Sequence, residues 1–161
     1  MSIDVIVNKA NALVMTFFAA VFLLAGVCLM LVGSWIGGAV CILLTLIYLC
    51  ISAMYGAVVH IDANGISRKV LFRPKESYAW KELREVGVFG SRILKRETSN
   101  KVGTLYLYVS TQAMTEEERF NMVLRWPVRQ IHFVYSPRSL ELVQYYWNQK
   151  IETFNTGSLR F

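Results

Sequence analysis

Between Ala10 and Val59 the chain has no Asp, Glu, Lys, Arg or His, a run of fifty residues. That absence argues against a pair of helices in a soluble protein. A helix at a water-facing surface carries a polar side, and neither helix-length part of this run has one. Cysteine is missing from the rest: Cys28, Cys41 and Cys50 all fall inside the uncharged run. Residues 60–161 therefore hold neither a disulfide framework nor a cysteine zinc site, which suits a reducing cytosol. The three cysteines read as small packing residues. Histidine is scarce. His60 and His132 stand far apart, with no metal-ligand spacing. A lone strand histidine reads as a surface or hydrogen-bonded residue. A glycine-rich phosphate loop, a serine nucleophile elbow and a DNA-binding motif are all missing. Glu116, Glu117 and Glu118 are consecutive, so they fan around a helix and do not converge. A membrane enzyme would place ionisable residues inside its spans, and this run has none. The expectation is a non-enzymatic protein, with no catalytic residue, no metal, no cofactor and no nucleic-acid partner.

What is present divides sharply. The chain has 161 residues, 55% of them hydrophobic, against about 45–50% in a soluble protein. Before His60 the only charges are Asp4 and Lys9, which cancel, so the net charge of +6 lies in residues 60–161. One bilayer crossing takes about 20 apolar residues. The uncharged run thus predicts two crossings, near Ala10–Val32 and Ala39–Val59, joined by a turn carrying Gly33, Ser34, Gly37 and Gly38. Trp35 sits where an interfacial aromatic belongs. A cleaved signal peptide has an apolar core of only about 7–15 residues, and here a second span follows at once. The connecting turn has no basic residue. Lys9 flanks the first span, and Arg68, Lys69, Arg73 and Lys75 follow the second within the range that sets orientation. The expectation is a multi-pass protein of the cell membrane with both termini cytoplasmic. Residues 1–59 would form the hairpin and 60–161 a cytoplasmic domain. Ala12, Thr16 and Ala20, with Thr45, Ser52 and Gly56, are candidates for the helix contact, since small residues let backbones approach in lipid.

The charged part reads as a β domain with two helices. Asn64-Gly65 predicts a hairpin turn with φ > 0 between strands Val58–Asp62 and Ile66–Phe72. Residues 73–76 form a second turn. Tyr78 and Trp80 share one face of a third strand. Leu83–Gly90, Gly103–Ser110 and Arg129–Ser136 complete six strands, the last with Ile131, Phe133 and Tyr135 inward. Residues 91–102 read as a basic loop carrying Arg92, Lys95, Arg96 and Lys101. Thr115 and Glu118 make a capping box for a helix running toward Trp126. Ser136-Pro137 opens the last helix, over about 137–152, with Leu140, Val143, Trp147 and Ile151 as its buried stripe. No βαβ alternation appears, which disfavours a parallel sheet.

Ile61–Ile66 (IDANGI), then Trp80–Phe89 (WKELREVGVF), then Leu107–Phe120 (LYVSTQAMTEEERF), in that order behind two spans, resemble bacterial pleckstrin-homology-like domains that follow two transmembrane helices, the YcxB-like relatives among them. The resemblance implies an α+β membrane protein with a bent barrel or sandwich of two sheets capped by the C-terminal helix. Six strands are one fewer than a full pleckstrin-homology fold. In eukaryotic members, basic residues around the first hairpin hold lipid headgroups. Here the comparable location is Arg68, Lys69, Arg73 and Lys75, without the usual spaced basic motif. These four are the candidate lipid- or membrane-surface residues. The functional expectation is an adaptor or regulatory subunit with a membrane or cytoplasmic protein partner. The alternative is a module sensing anionic lipid headgroups through the basic hairpin. A small membrane enzyme is a third reading, disfavoured by the missing catalytic groups.

Overall fold

A computed structural model describes residues 2–71, 73–90, 104–121 and 130–154. Its order is β1 (Ile3–Ile6), α1 (Lys9–Leu31), α2 (Trp35–Tyr55), β2 (Val58–Ile61), β3 (Gly65–Val70), β4 (Arg73–Ala79), a 3₁₀ turn (Trp80–Glu82), β5 (Glu85–Gly90), β6 (Leu105–Ser110), α3 (Glu116–Asn121), β7 (Gln130–Val134), α4 (Pro137–Tyr146) and β8 (Glu152–Phe154). The protein is α+β and falls into two units. Asn8–Ala57 is helical; Met1–Val7 joins Val58–Phe161 in the β unit. The basic loop over 91–102 and the stretch toward Trp126 lie outside the described residues.

In the helical unit, α1 and α2 have 23 and 21 residues and are long and apolar enough to cross a membrane. The Asn8 side chain caps α1, accepting from the Asn11 amide at 3.0 Å. The Asn8 amide donates to the Tyr55 carbonyl at 2.9 Å, tying the start of one helix to the end of the other. The turn expected over residues 33–38 is only Val32–Ser34, because Gly33 at φ 85° reverses the chain alone. α2 therefore starts four residues earlier than expected, with Gly37 and Gly38 inside its first turn and the Gly38 amide bonded to the Ser34 carbonyl at 2.9 Å. Thr16 Oγ1 and Ser52 Oγ lie 2.7 Å apart, and Ser52 donates to the Ala12 carbonyl at 3.0 Å. Thr45 donates to the Ala19 carbonyl at 3.4 Å. Ala19, not the expected Ala20, is the buried alanine of α1. Two steps of four residues drift about 80° around a helix, whereas seven residues return to within about 20°.

The β unit holds two four-stranded sheets among the described residues, ordered β1-β2-β3-β4 and β7-β6-β5-β8. β1 departs from the sequence expectation. It pairs antiparallel with β2, Asp4 opposite His60 and Ile6 opposite Val58. The two strands are neighbours in the sheet although the whole helical unit separates them in the chain. The Val134 amide reaches the Val7 carbonyl at 2.9 Å, so β1 also meets the second sheet at β7. The C-terminal end differs too. α4 stops at Tyr146 with Trp147 as its C-cap, so Ile151 is not on the helix. The freed chain returns as β8, parallel to β5. Leu140, Val143 and Trp147 are buried, as the apolar stripe requires.

The β2–β3 turn uses its glycine in an unexpected way. Neither Asn64 nor Gly65 has positive φ. Asp62 closes the turn instead, accepting from the Asn64 and Gly65 amides at 2.8 and 3.0 Å. Gly65 is required by β4, because a Cβ there would stand 2.0 Å from the Tyr78 carbonyl. Trp80 lies in the 3₁₀ turn, not on a strand. Its indole donates to the Asp62 carbonyl at 2.8 Å and stacks on Tyr146 at 5.6 Å. The core draws Val59, Ile61 and Ile66 from the first sheet. The second sheet is covered on both faces: Val86, Val88, Leu107, Val109, Ile131 and Phe133 are buried on one, Phe89, Tyr106, Tyr108 and His132 on the other.

Candidate functional site

The four basic residues singled out from the sequence do not form one surface. Arg68 is opposite Val59 and Glu76 on the inward face of the first sheet and is 1% exposed. Its guanidinium meets the Glu76 carboxylate at 2.5 Å. Burial pulls the guanidinium below its ordinary value, and Glu76 pushes back. Lys69 and Lys75 are exposed. The β3–β4 register slips between Arg68 and Lys69: Arg68 faces Glu76 but Lys69 faces Pro74, leaving Lys75 as the extra residue. Strict alternation, which aims Arg68 inward, and a bulge, which re-aims its neighbours, thus operate together. Arg73 closes the following turn, opposite Val70.

His132 was expected at a surface or in a hydrogen bond. It is buried on β7, and its Nδ1 has no hydrogen-bond partner among the described residues. Its ring meets Tyr106 edge-on at 5.9 Å. Burial, with a smaller push from the Arg68 charge, lowers the imidazole to about 4. Arg68 from the first sheet and His132 from the second therefore feel one another in the interior. A neutral histidine beside a fixed cation is what a poorly solvated interior favours.

A second polar group was not read from the sequence. Gly87 stands opposite Tyr108, and a Cβ on it would fall 2.6 Å from the phenol oxygen, so the ring uses the space that glycine leaves. The Tyr108 hydroxyl donates to Glu85. Arg119 on α3 donates to Glu85 Oε1 at 2.7 Å and to the Tyr108 oxygen at 3.0 Å. The Met114 amide donates to Glu85 Oε2 at 3.0 Å. The Arg119 guanidinium also lies over the Phe154 ring, 3.6 Å from its centroid. Burial raises the Glu85 carboxyl, but these donors bring it below its ordinary value. Burial and the Glu85 charge hold the Tyr108 phenol well above its own. Neither titrates near neutrality, so the group is a clasp fastening α3 and β8 over the second sheet, not a proton relay.

Two exposed features remain. His60 Nδ1 meets Asp4 at 2.5 Å and its Nε2 lies 3.6 Å from Asp62, across β1, β2 and the turn. A shallow cleft of about 290 Å³ runs along the β2–β3 turn and the β4 edge, lined by Asp62, Asn64, Ser67 and Ser77 among others. Among the described residues no three His, Cys, Asp or Glu side chains group to hold a metal ion. Comparison with protein-family models, curated proteins and solved structures finds no match for the chain.

Proposed function

We propose that the chain is a membrane-anchored, non-enzymatic recognition module. Its pleckstrin-homology-like β unit would act at the cytoplasmic face as an adaptor or regulatory subunit for a membrane or cytoplasmic protein. The observation that carries the reading is the pairing of β1 with β2. β1 ends at Ile6 and α1 begins at Lys9; α2 ends at Tyr55 and β2 begins at Val58. A domain attached to two spans through two adjacent strands, with two residues at each link, is held close to the bilayer and cannot tumble freely. That restraint suits capture of a partner in the membrane plane and serves a diffusing substrate poorly.

Other observations agree. Phe17, Leu24, Leu31 and Ile36 expose large apolar side chains on the helical unit, which call for an apolar surrounding. β1 also supplies the seventh strand that the sequence resemblance lacked. β1–β4 and β5–β7 run as two antiparallel meanders followed by α4. Lys9 and the basic residues after β2 favour the cytoplasmic side.

The alternative, an anionic-lipid-sensing module, has exposed Lys69 and Lys75 in its favour. A headgroup pocket built on Arg68 does not fit, because that guanidinium faces the interior and is paired. Purification of the tagged full-length protein from its native membrane in mild detergent separates the two. A reproducible stoichiometric protein partner supports the adaptor. Lipid alone, enriched in one anionic class, favours the sensor.

A further inference from the structure

The β3–β4 turn is built at odds with ordinary turn chemistry. Leu71 takes φ 48°, a conformation that glycine or asparagine adopts readily and leucine rarely does. Its side chain is 72% exposed. The position thus carries backbone strain and an exposed apolar group together, without a packing gain in the described structure. Exposed Lys69 and Lys75 flank it.

The register says where this turn lies in the first sheet. Val58 is opposite both Ile6 and Lys69. The end of the sheet from which the chain passes to α1 and α2 is therefore the end that carries the β3–β4 turn. Two residues back from Val58 is Gly56, the C-cap of α2; two residues on from Lys69 is Leu71. The β2–β3 turn, with Asn64, lies at the opposite end.

We infer that the β3–β4 turn is a second membrane contact: Leu71 enters the acyl boundary of the anionic leaflet, with Lys69 and Lys75 at the headgroups. This rests on the membrane-anchored reading above and adds a second point of contact to it. An apolar surrounding removes the exposure penalty of Leu71. Lysines on long apolar stems keep their charge at the interface while the tip descends. The occupant is the leaflet itself, because the same end of the sheet feeds both apolar helices and the flanking charges are positive.

The test uses full-length protein in proteoliposomes, with Cys28, Cys41 and Cys50 replaced by alanine. Leu71→Cys, Asn64→Cys and Ile36→Cys each carry an environment-sensitive fluorophore, and nitroxide-labelled lipid is the quencher. Leu71 and Ile36 are exposed, so the labels displace no core side chain. The expected result is quenching at 36 and 71 but not at 64. Quenching at 71 should weaken when phosphatidylglycerol is replaced by phosphatidylcholine, and with Lys69→Gln and Lys75→Gln together. Quenching at 36 without quenching at 71, or equal quenching at 64 and 71, overturns the inference and leaves the anchor standing. No quenching at 36 overturns the anchor and the inference with it.

Discussion

Breaking the Arg68–Glu76 pair from one side leaves a guanidinium in the interior without that carboxylate. Glu76→Ala is expected to destabilise the full-length protein by about 3 kcal/mol in denaturant titration. Replacing both partners together, Arg68→Met with Glu76→Leu, should recover most of it, because two well-packed apolar groups need no counterion. His132 gives a prediction with a sign. Its folded value near 4 lies below the ordinary 6.5, so the unfolded chain binds its proton more readily. The contribution is fully present above pH 6.5 and is lost as pH falls toward 4, up to on the order of 3 kcal/mol. Melting of the full-length protein in detergent across that range should show the fall. His132→Leu should flatten it, with little loss at neutral pH, because it also removes a buried nitrogen that has no partner among the described residues.

At the scale of elements, α3 has only six residues and owes its place to Arg119. Arg119→Leu is expected to remove about 2 kcal/mol, the range for hydrogen bonds to charged groups. Hydrogen exchange should show the amides of 117–121 losing protection while β5 and β6 keep theirs; uniform loss across the sheet would show the clasp to be part of the core. Elements were unevenly legible. The two apolar helices, the first hairpin, β6 and the Ser136 cap follow from local pattern and lie where the sequence put them, within a few residues. β1 and β8 were not legible. IDVI and ETF are four and three residues long, too short for a period, and each is a strand only because a distant strand offers its edge. Arg68 and His132 needed tertiary knowledge as well: alternation aims Arg68 inward, but only the second sheet makes that interior closed. The Glu85 clasp joins residues 85, 108 and 119, which no local pattern connects.

For the molecule as a whole, the β1–β2 pair imposes a topological rule. Residues 3–6 and 58–61 share one sheet, so both ends of the helical unit lie on the same side of any membrane it enters, and the number of crossings is even. Thiol labelling of the cysteine-free full-length protein in intact cells is expected to reach Ser34→Cys, in the turn between the helices, from outside and to reach Asn64→Cys only after permeabilisation. The reverse pattern would place the β unit outside. Any fragment that begins at His60 discards β1 and half of β2, so its stability does not represent the intact unit.

The same pair carries a consequence for the order of events during synthesis. β1 leaves the ribosome first, yet its partner strand emerges only after both apolar helices. Closing a free loop of that length costs about 3–4 kcal/mol by the logarithmic scaling of chain entropy. Once α1 and α2 have formed their antiparallel pair, the Asn8–Tyr55 hydrogen bond already holds the loop ends together, and the closure is complete before β2 exists. Fifty residues of helix then serve as the reverse turn of a β-hairpin. Zippering of the first sheet is gated by the pairing of α1 with α2, so a chain whose helices fail to pair also leaves β2 with a bare edge.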